Sequence, residues 1–431
     1  MGESVNDPVQ QTFDRLFGPE FGHGKPFDLA KLRTALDALG APQMRLPPVI
    51  HVAGTNGKGS TIAFMRAIAE AAGLSVHAFT KPHLFTLNER FLVAGAPASD
   101  EALIAAAERV ARVDASLTQF DAQVAVAFLL FSEAPADLAL IETGMGGRDD
   151  STNVIAAPAV SVITPIGLDH QDALGATLAE IAAHKAGIIR RIVTTVTARQ
   201  EPEAMAVIEA RVADLQGDLK RQGEDWDAFE SNGRLCVQTT TSMRLLPLPR
   251  LAGRHQIDNA GLACVALLYC GIEWPAGAFA DGIANAAWPA RLQALTRGPF
   301  SAPIREIGGE VWVDGGHNAH AALALAQALE AMKAKRGGVN VAIIGLRKRK
   351  DAAAFVTTLS RGVTRLIAVP LIEDHVPPDE IAAFGSQTGV RASTAPSLAA
   401  AMQNAAQLPA PRVLICGSFL LAAEALSADS F

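Results

Sequence analysis

The feature that most constrains this chain is an alternation. Short apolar runs end in glycine-rich or polar turns, and each leads into an alanine-rich stretch of helical periodicity. PPVIHVAG passes into NGKGSTIAFMRAIAEAAG, and DLALIETGMGG, AVSVITPIG and the stretch 188–196 have the same strand-like character. Beyond residue 303, EVWVDGG, VNVAIIGL, TRLIAVPL and PRVLICGS repeat the pattern. Strands buried on both faces need such apolar runs, and parallel neighbours need long crossovers, so the alternation predicts βα units around a mostly parallel sheet. SDEALIAAAERVARV, with Ser99 as its N-cap, and FDAQVAVAFLLFSEA predict intervening helices. The polar segment 217–249 predicts a small hairpin excursion, and LAGRHQIDNAGLACVALLYCG a return to helix.

At 431 residues the chain is too long for one ordinary core. The loop composition from Pro289 to Pro303 marks a linker. We therefore expect two α/β domains. Residues 1–295 should form a phosphate-loop-type, mostly parallel sheet flanked by helices, and 296–431 a smaller Rossmann-like domain. The net charge of −7 argues against a nucleic-acid partner, which usually needs a basic excess. The four cysteines, Cys236, Cys264, Cys270 and Cys416, have no zinc-ligand spacing and read as core residues. The first residues have no basic and apolar leader pattern, and no apolar run has membrane-spanning length. The expectation is a cytoplasmic protein with no membrane partner.

Unusual polar clusters fall at the ends of the expected strands, where open α/β sheets bind ligands. In HVAGTNGKGS, Gly54, Gly57 and Gly59 let the backbone N–H groups approach an anion. Lys58 adds a point charge for phosphates. The loop departs from the common G-x-x-x-x-G-K-[ST] form: Val52 stands at the first glycine, and Gly59 where a metal-binding hydroxyl would follow the lysine. An ordinary βα turn with an unrelated lysine is the competing reading. In LALIETGMGGRDDSTNVI, Glu142 ends a strand where an NTPase places its metal-binding acid. Arg148, Asp149, Asp150, Thr152 and Asn153 crowd the next loop, although at least one of the two aspartates reads equally as a cap or turn residue. Asp169, His170 and Asp172 follow the next strand and point to a metal or phosphate role. Lys185 lies in the apolar stretch IAAHKAGII; it is either solvated or, if buried, there for a chemical reason. Asn259, Arg291, Asp314 and His317 complete the set, with Asp314 again ending a strand.

The order GTNGKGS, TKPHL with NER, ETGMGGRDDSTN, LDHQDALG, HKAGI, GRHQIDNA, WPARLQ, DGGHN and finally Lys350-Asp351 resembles the folylpolyglutamate synthase/dihydrofolate synthase family, which shares a superfamily with the Mur peptidoglycan ligases. The resemblance covers nearly the whole chain. It implies an ATP-dependent acid–amino-acid ligase that joins L-glutamate to dihydropteroate, to the terminal glutamate of reduced folates, or to both, through an acyl phosphate. The partners would be small molecules and the chain a monomer, with ATP bound between an N-terminal ligase domain and a C-terminal glutamate-ligase domain. By position, Asn56, Gly57, Lys58, Gly59, Ser60, Asn259, Arg291 and Asp314 would contact ATP. Glu142 and His170 would hold Mg²⁺, with a monovalent cation as a possible addition. Lys58, Lys185 and His170 would be catalytic, Lys185 as a carbamylated lysine. Asp28, Leu29, Phe120, Asp121, Asp149, Asp150 and Ser151 would line the pterin pocket. Three positions depart from the family pattern. Asp121 replaces a glutamate and Gly316 an alanine. Lys81 stands at a third metal-ligand position usually held by serine, and a protonated lysine does not coordinate metal. A ligase with another carboxylate substrate, and a nucleotide-binding homologue impaired by Lys81, are the alternative readings.

Overall fold

The computed structural model describes residues 7–20 and 28–430. Its strands, in chain order, are β1 (Val49–Ala53), β2 (Val76–Phe79), β3 (Phe91–Val93), β4 (Ala96–Pro97), β5 (Leu138–Glu142), β6 (Val160–Ile163), β7 (Thr194–Thr197), β8 (Asp218–Arg221), β9 (Trp226–Ser231), β10 (Arg234–Thr239) and β11 (Met243–Pro247), followed by β12 (Gln293–Ala294), β13 (Glu310–Val313), β14 (Val339–Ile344), β15 (Arg365–Ala368), β16 (Arg391–Thr394) and β17 (Pro411–Cys416). Contacts divide the chain into two units: residues 1–250 with 257–287, and residues 251–256 with 288–431.

The first unit is built on an eight-stranded sheet of order β4-β3-β2-β5-β1-β6-β7-β8. From β2 to β8 all neighbours are parallel, while β3 and β4 add an antiparallel edge. β1 and β5 are buried throughout, including His51 and Glu142, as central strands of a parallel sheet covered on both faces should be. Register sets the carboxyl ends side by side: Val52 pairs with Glu142, and Ala53 with Ile163. The loops after β1, β5 and β6 therefore emerge as neighbours. Helices Pro8–Phe17, Leu29–Ala38, Asp100–Asp114 and Gln119–Glu133 close one apolar core over Val49, Phe79, Ala139 and Ile141. The run VAVAFLLF is thus a core segment, with Val124 to Leu129 all buried. A second core joins helices Leu178–Lys185 and Pro202–Asp214 to Ala53 and Ile163. Among the described residues no single helix is long and apolar enough to cross a membrane.

The segment 217–249 is more than a hairpin. Its first strand, β8, extends the parallel sheet, and β9–β10–β11 form a separate antiparallel sheet. β8 reads DLKR, and its polarity suits an edge with few residues to cover it. Helix His255–Leu268 meets this small sheet through Gly261, where a Cβ would lie 2.3 Å from Ala228 Cβ. Only the end of 188–196 is a strand, since Ala186–Ile188 is a 3-10 turn. The stretch 289–303 holds β12 and the start of helix Ala302–Glu306.

The second unit is a six-stranded sheet of order β12-β13-β17-β14-β15-β16, parallel except for β12. Helices Ala319–Arg336, Ala352–Leu359 and Pro378–Gln387 pack on one core with Ala342, Ile344 and Leu414. This is the mixed α/β architecture that the alternation predicts.

Candidate active site

The loop after β1 is laced to the loop after β6. Thr55 N donates to Pro165 O at 3.0 Å, and the Thr55 hydroxyl donates to Gly167 O while accepting from Gly167 N. Gly57 has φ +90° and caps helix Lys58–Ala71; a Cβ there would also lie 2.5 Å from Asn259 Oδ1. Glycine is needed at this position both for conformation and for space. Asn56, Gly57, Lys58, Gly59 and Ser60 accordingly form the turn and first residues of a buried helix, with the helix's positive end at the loop.

Two lysines converge on one carbonyl. Lys58 Nζ donates to Gly54 O at 3.2 Å and Thr55 O at 3.3 Å, and Lys185 Nζ donates to the same Gly54 O at 2.8 Å. Lys58 Nζ also lies 3.8 Å from Glu142 Oε1, at the end of β5. Lys185 is buried, so it is not the solvated helix lysine. Burial, reinforced by the Lys58 charge, lowers its ammonium to about 7. A sizeable neutral fraction at physiological pH is what reaction with an electrophile such as CO₂ requires.

Glu142 is 3% exposed and accepts from the Lys81 backbone N at 3.1 Å. His170 adopts a left-handed conformation (φ 53°) before the short helix Gln171–Leu174, its backbone N donating to Asp169 Oδ1 at 2.9 Å and its Nε2 4.0 Å from the same oxygen. Among the described residues no three His, Cys, Asp or Glu side chains gather into a metal cage. Thr164 Oγ1, which occupies the space beside Gly54, is buried with no hydrogen-bond partner, so polar capacity remains at this strand end.

The Lys81 ammonium meets Glu20 and an aromatic ring. Its Nζ lies 2.8 Å from Glu20 Oε1 and 4.4 Å above the Phe120 ring. Glu20 also pairs with Arg90 through 3.1 Å bonds to both terminal nitrogens, and Arg90 donates to Gln123 Oε1 at 2.6 Å and His83 Nδ1 at 3.0 Å. Burial alone would raise the Glu20 carboxyl, but Lys81 and Arg90 outweigh it and hold it far below the usual carboxylate range. Glu20 and Gln123 were invisible to motif reading. The available signal was Arg90 itself, a buried arginine that needs an acid.

The predicted pterin-pocket residues assemble around the loop after β5. Phe120 lies against Gly144, where a Cβ would sit 2.4 Å from its ring. Asp121 accepts from Thr118 as a helix cap and from the Ser151 hydroxyl at 2.6 Å. Asp150 is buried and accepts from Met145 N, Thr152 N and the Thr152 hydroxyl. That hydroxyl therefore accepts from His51 Nε2 at 2.8 Å, which fixes the His51 tautomer. Asp149 is the surface member, 3.0 Å from Arg148 and 3.4 Å from His184. Asp28 caps helix Leu29–Ala38, which packs on the turn Ser151–Val154. Leu29 joins the adjoining core.

In the second unit Asp314 is buried and bridges two backbone donors, Gly316 N at 2.6 Å and Leu292 N at 2.8 Å. Burial raises its carboxyl despite nearby Arg291, whose guanidinium lies 4.8 Å from the Phe419 ring centre. His317 Nδ1 lies 2.9 Å from Gly315 O, and Asn318 caps helix Ala319–Arg336. Asn259 belongs to the first unit and this group to the second.

Comparisons with known proteins bear directly on this arrangement. The Mur ligase middle domain matches residues 52–267, and the Mur ligase glutamate ligase domain matches 302–419. A folylpolyglutamate synthase from Lacticaseibacillus casei is 34% identical over 366 residues, covering 80% of this chain and 82% of that protein. The chain belongs to the folylpolyglutamate synthase/dihydrofolate synthase family of Mur ligases. The fold of this family member agrees over its whole length. E. coli FolC in complex with DHPP and ADP is similar at 30% identity and TM-score 0.86, covering 99% of this chain and 98% of that one. A bifunctional folylpolyglutamate synthase/dihydrofolate synthase from Yersinia pestis, complexed with AMPPNP and Mn ion, is 28% identical with TM-score 0.86 and covers all of both chains.

Proposed function

We infer that this family member is an ATP-dependent amide ligase adding L-glutamate to dihydropteroate, to the terminal glutamate of a reduced folate, or to both. The observation that carries the reading is the convergence of Lys58 and Lys185 on Gly54 O, beside Glu142, at adjoining carboxyl ends of β1 and β5. The relatives' complexes with ADP, AMPPNP and DHPP support the nucleotide and the acceptor.

The reaction begins with two anions. An acceptor carboxylate oxygen attacks the γ-phosphorus of ATP, and ADP leaves; the glutamate amine then attacks the acyl phosphate, and inorganic phosphate departs from a tetrahedral intermediate. In this reading the backbone N–H groups of 56–60 and the Lys58 ammonium cradle the phosphates and lower the repulsion between the anions. Glu142 and His170 would hold Mg²⁺, which supplies charge neutralisation at the transferring phosphoryl group. Lys185 takes its role as a carbamate, which turns a buried cation into an anion beside Lys58. Phe120, Asp121, Asp150 and Ser151 shape the acceptor's pterin end, and Asp28 and Leu29 close it from the neighbouring helix. Asn259, Arg291 and Asp314 are the remaining proposed nucleotide contacts. Lys81, held by Glu20 over Phe120, acts on the acceptor side, and its backbone N–H donates to Glu142.

The four cysteines are buried and free, which supports a reducing, cytoplasmic setting. We take the chain as a monomer with small-molecule partners, an assignment that light scattering of the purified protein tests. The decisive assay is glutamate-dependent ADP release with dihydropteroate and with a reduced folate as separate acceptors. Turnover with at least one is expected; a folded preparation inert to both overturns the assignment.

A further inference from the structure

A cavity of about 550 Å³ in the first unit is lined by Arg33, Arg148, Arg190 and Arg211, together with Leu29 and residues of 153–156 and 187. Leu29, placed above at the acceptor's pterin end, is shared with that pocket, but none of Phe120, Asp121, Asp150 or Ser151 lines the cavity, and neither does any residue of the phosphate loop. Its lining contains four guanidinium groups and no carboxylate, on a chain whose net charge is −7. The four come from separate segments: helix Leu29–Ala38, the loop after β5, the turn before β7, and helix Pro202–Asp214.

Their roles differ. Arg190 is an anchor, donating to Ile155 O, Gly187 O, Asn153 O and Asn153 Oδ1 at 2.7–3.2 Å. Burial and the charges of Arg211 and Arg33 lower its guanidinium from the ordinary value, as expected when cations share one cavity. Arg148 and Arg211 hold only exposed partners, Asp149 at 3.0 Å and Asp214 at 3.4 Å, and such pairs contribute little. Arg33 makes no ion pair among the described residues. Like charges around a concavity, offset only by exposed carboxylates outside its lining, raise the local concentration of anions, and guanidinium forks match the paired oxygens of phosphate and carboxylate.

We propose that this cavity is a second ligand site, separate from the nucleotide loop, for a small polyanion carrying phosphate or carboxylate groups. Its wall is continuous with the reacting region. Arg148 N donates to His184 O, Asn153 Nδ2 donates to both Arg148 O and Gly187 O, and Gly187 packs against the Arg148 backbone. An anion held by Arg148 thereby bears on the segment that carries Lys185.

The test is calorimetric titration of the full chain with its nucleotide loop saturated by a non-hydrolysable ATP analogue and Mg²⁺. Tripolyphosphate and a tri-γ-glutamate peptide serve as separate titrants at low salt, and whichever binds identifies the oxyanion. Because no turnover is needed, the result is independent of whether folate ligation is correct. Saturable binding of at least one titrant is expected, weakened about tenfold in the Arg33→Ala/Arg211→Ala double variant, the scale of one lost charged contact. Arg33→Glu alone, at an exposed position, is a second variant that should weaken binding while leaving the melting temperature in place. No saturable binding by the unaltered protein overturns the proposal. So does an affinity that these variants leave within about threefold, a shift too small for removal of direct charged contacts.

Discussion

At the scale of single residues, the site is governed by where its ammonium groups go. Lys58→Ala removes the mobile charge from the loop, and we expect kcat to fall by about a hundredfold or more, as when one preorganised electrostatic group is lost. Steady-state ADP release measures it. Lys185 gives a pH signature. Its amine titrates at about 7, so the reactive neutral form is lost as pH falls through that value and the rate should fall with it. Added bicarbonate should lift the rate most near the midpoint, and ¹³C-labelled CO₂ should give a carbamate signal that Lys185→Arg abolishes. The stability sign follows from the same group. Its folded value lies below the ordinary 10.5, so its burial destabilises the fold fully below about 7, and this penalty is relieved as pH rises from there towards 10.5. Glu20 behaves oppositely. Its lowered carboxyl contributes stability above the ordinary 4.5 that is lost as pH falls below it. Glu20→Gln leaves Lys81 and Arg90 facing each other without a shared anion and should cost about 3 kcal/mol in denaturant unfolding, the lower end for breaking a buried pair. Because the Lys81 ammonium is directed to Glu20 and Phe120, Lys81→Ser should leave the Mg²⁺ dependence of the rate within about threefold. A gain of tenfold or more would mean that the lysine costs the enzyme a metal ligand.

At the scale of elements, the phosphate loop is a turn fixed by its neighbours. Gly57→Ala places a Cβ against Asn259 Oδ1 in a left-handed backbone, so we expect a loss of about 1–3 kcal/mol in stability and weaker nucleotide binding, read by chemical unfolding and calorimetry. Much of this element scale was legible beforehand. β1, β5, β6, β13, β14, β15 and β17 are predominantly apolar runs with at most one or two polar residues each, and a parallel sheet needs that composition whatever surrounds it. β8 was not legible, because an edge strand of sequence DLKR satisfies its backbone without an apolar signature. The three-stranded sheet was compressed into a hairpin for the same reason, since much of β9 and β11 faces solvent. Motif spacing brought Glu142 and Lys58 to adjoining strand ends because strand ends are fixed by topology, whereas Lys185 closes helix Leu178–Lys185 and reaches Gly54 O through tertiary packing. It could not supply Glu20, which meets Lys81 and Arg90 only through tertiary folding, nor show that Asp150 spends both oxygens on its own loop.

At the scale of the whole molecule, each of the two units has a sheet and a core of its own, so ligand effects should report on the unit that binds. Mg·ATP at 100 times its dissociation constant stabilises a binding unit by about 2.7 kcal/mol, which for a domain of this size is a rise of several degrees in Tm. Differential scanning calorimetry with the non-hydrolysable analogue should show that rise in the unaltered protein, and Lys58→Ala should remove most of it. A complementary substitution separates the two units' contributions. Asp314 accepts from Gly316 N and Leu292 N entirely within the second unit, so Asp314→Asn replaces one acceptor oxygen by a donor facing a backbone N–H. It should therefore lower stability by about 1–3 kcal/mol even without nucleotide. If Asp314 also touches the nucleotide, the same variant loses part of the ligand-induced rise; if its role is confined to holding Leu292 and Gly316, the rise is undiminished and only the starting Tm is lower. Lys58→Ala and Asp314→Asn thus give opposite patterns, the first acting on the ligand increment with little change in the unliganded melt, the second acting on the unliganded melt first.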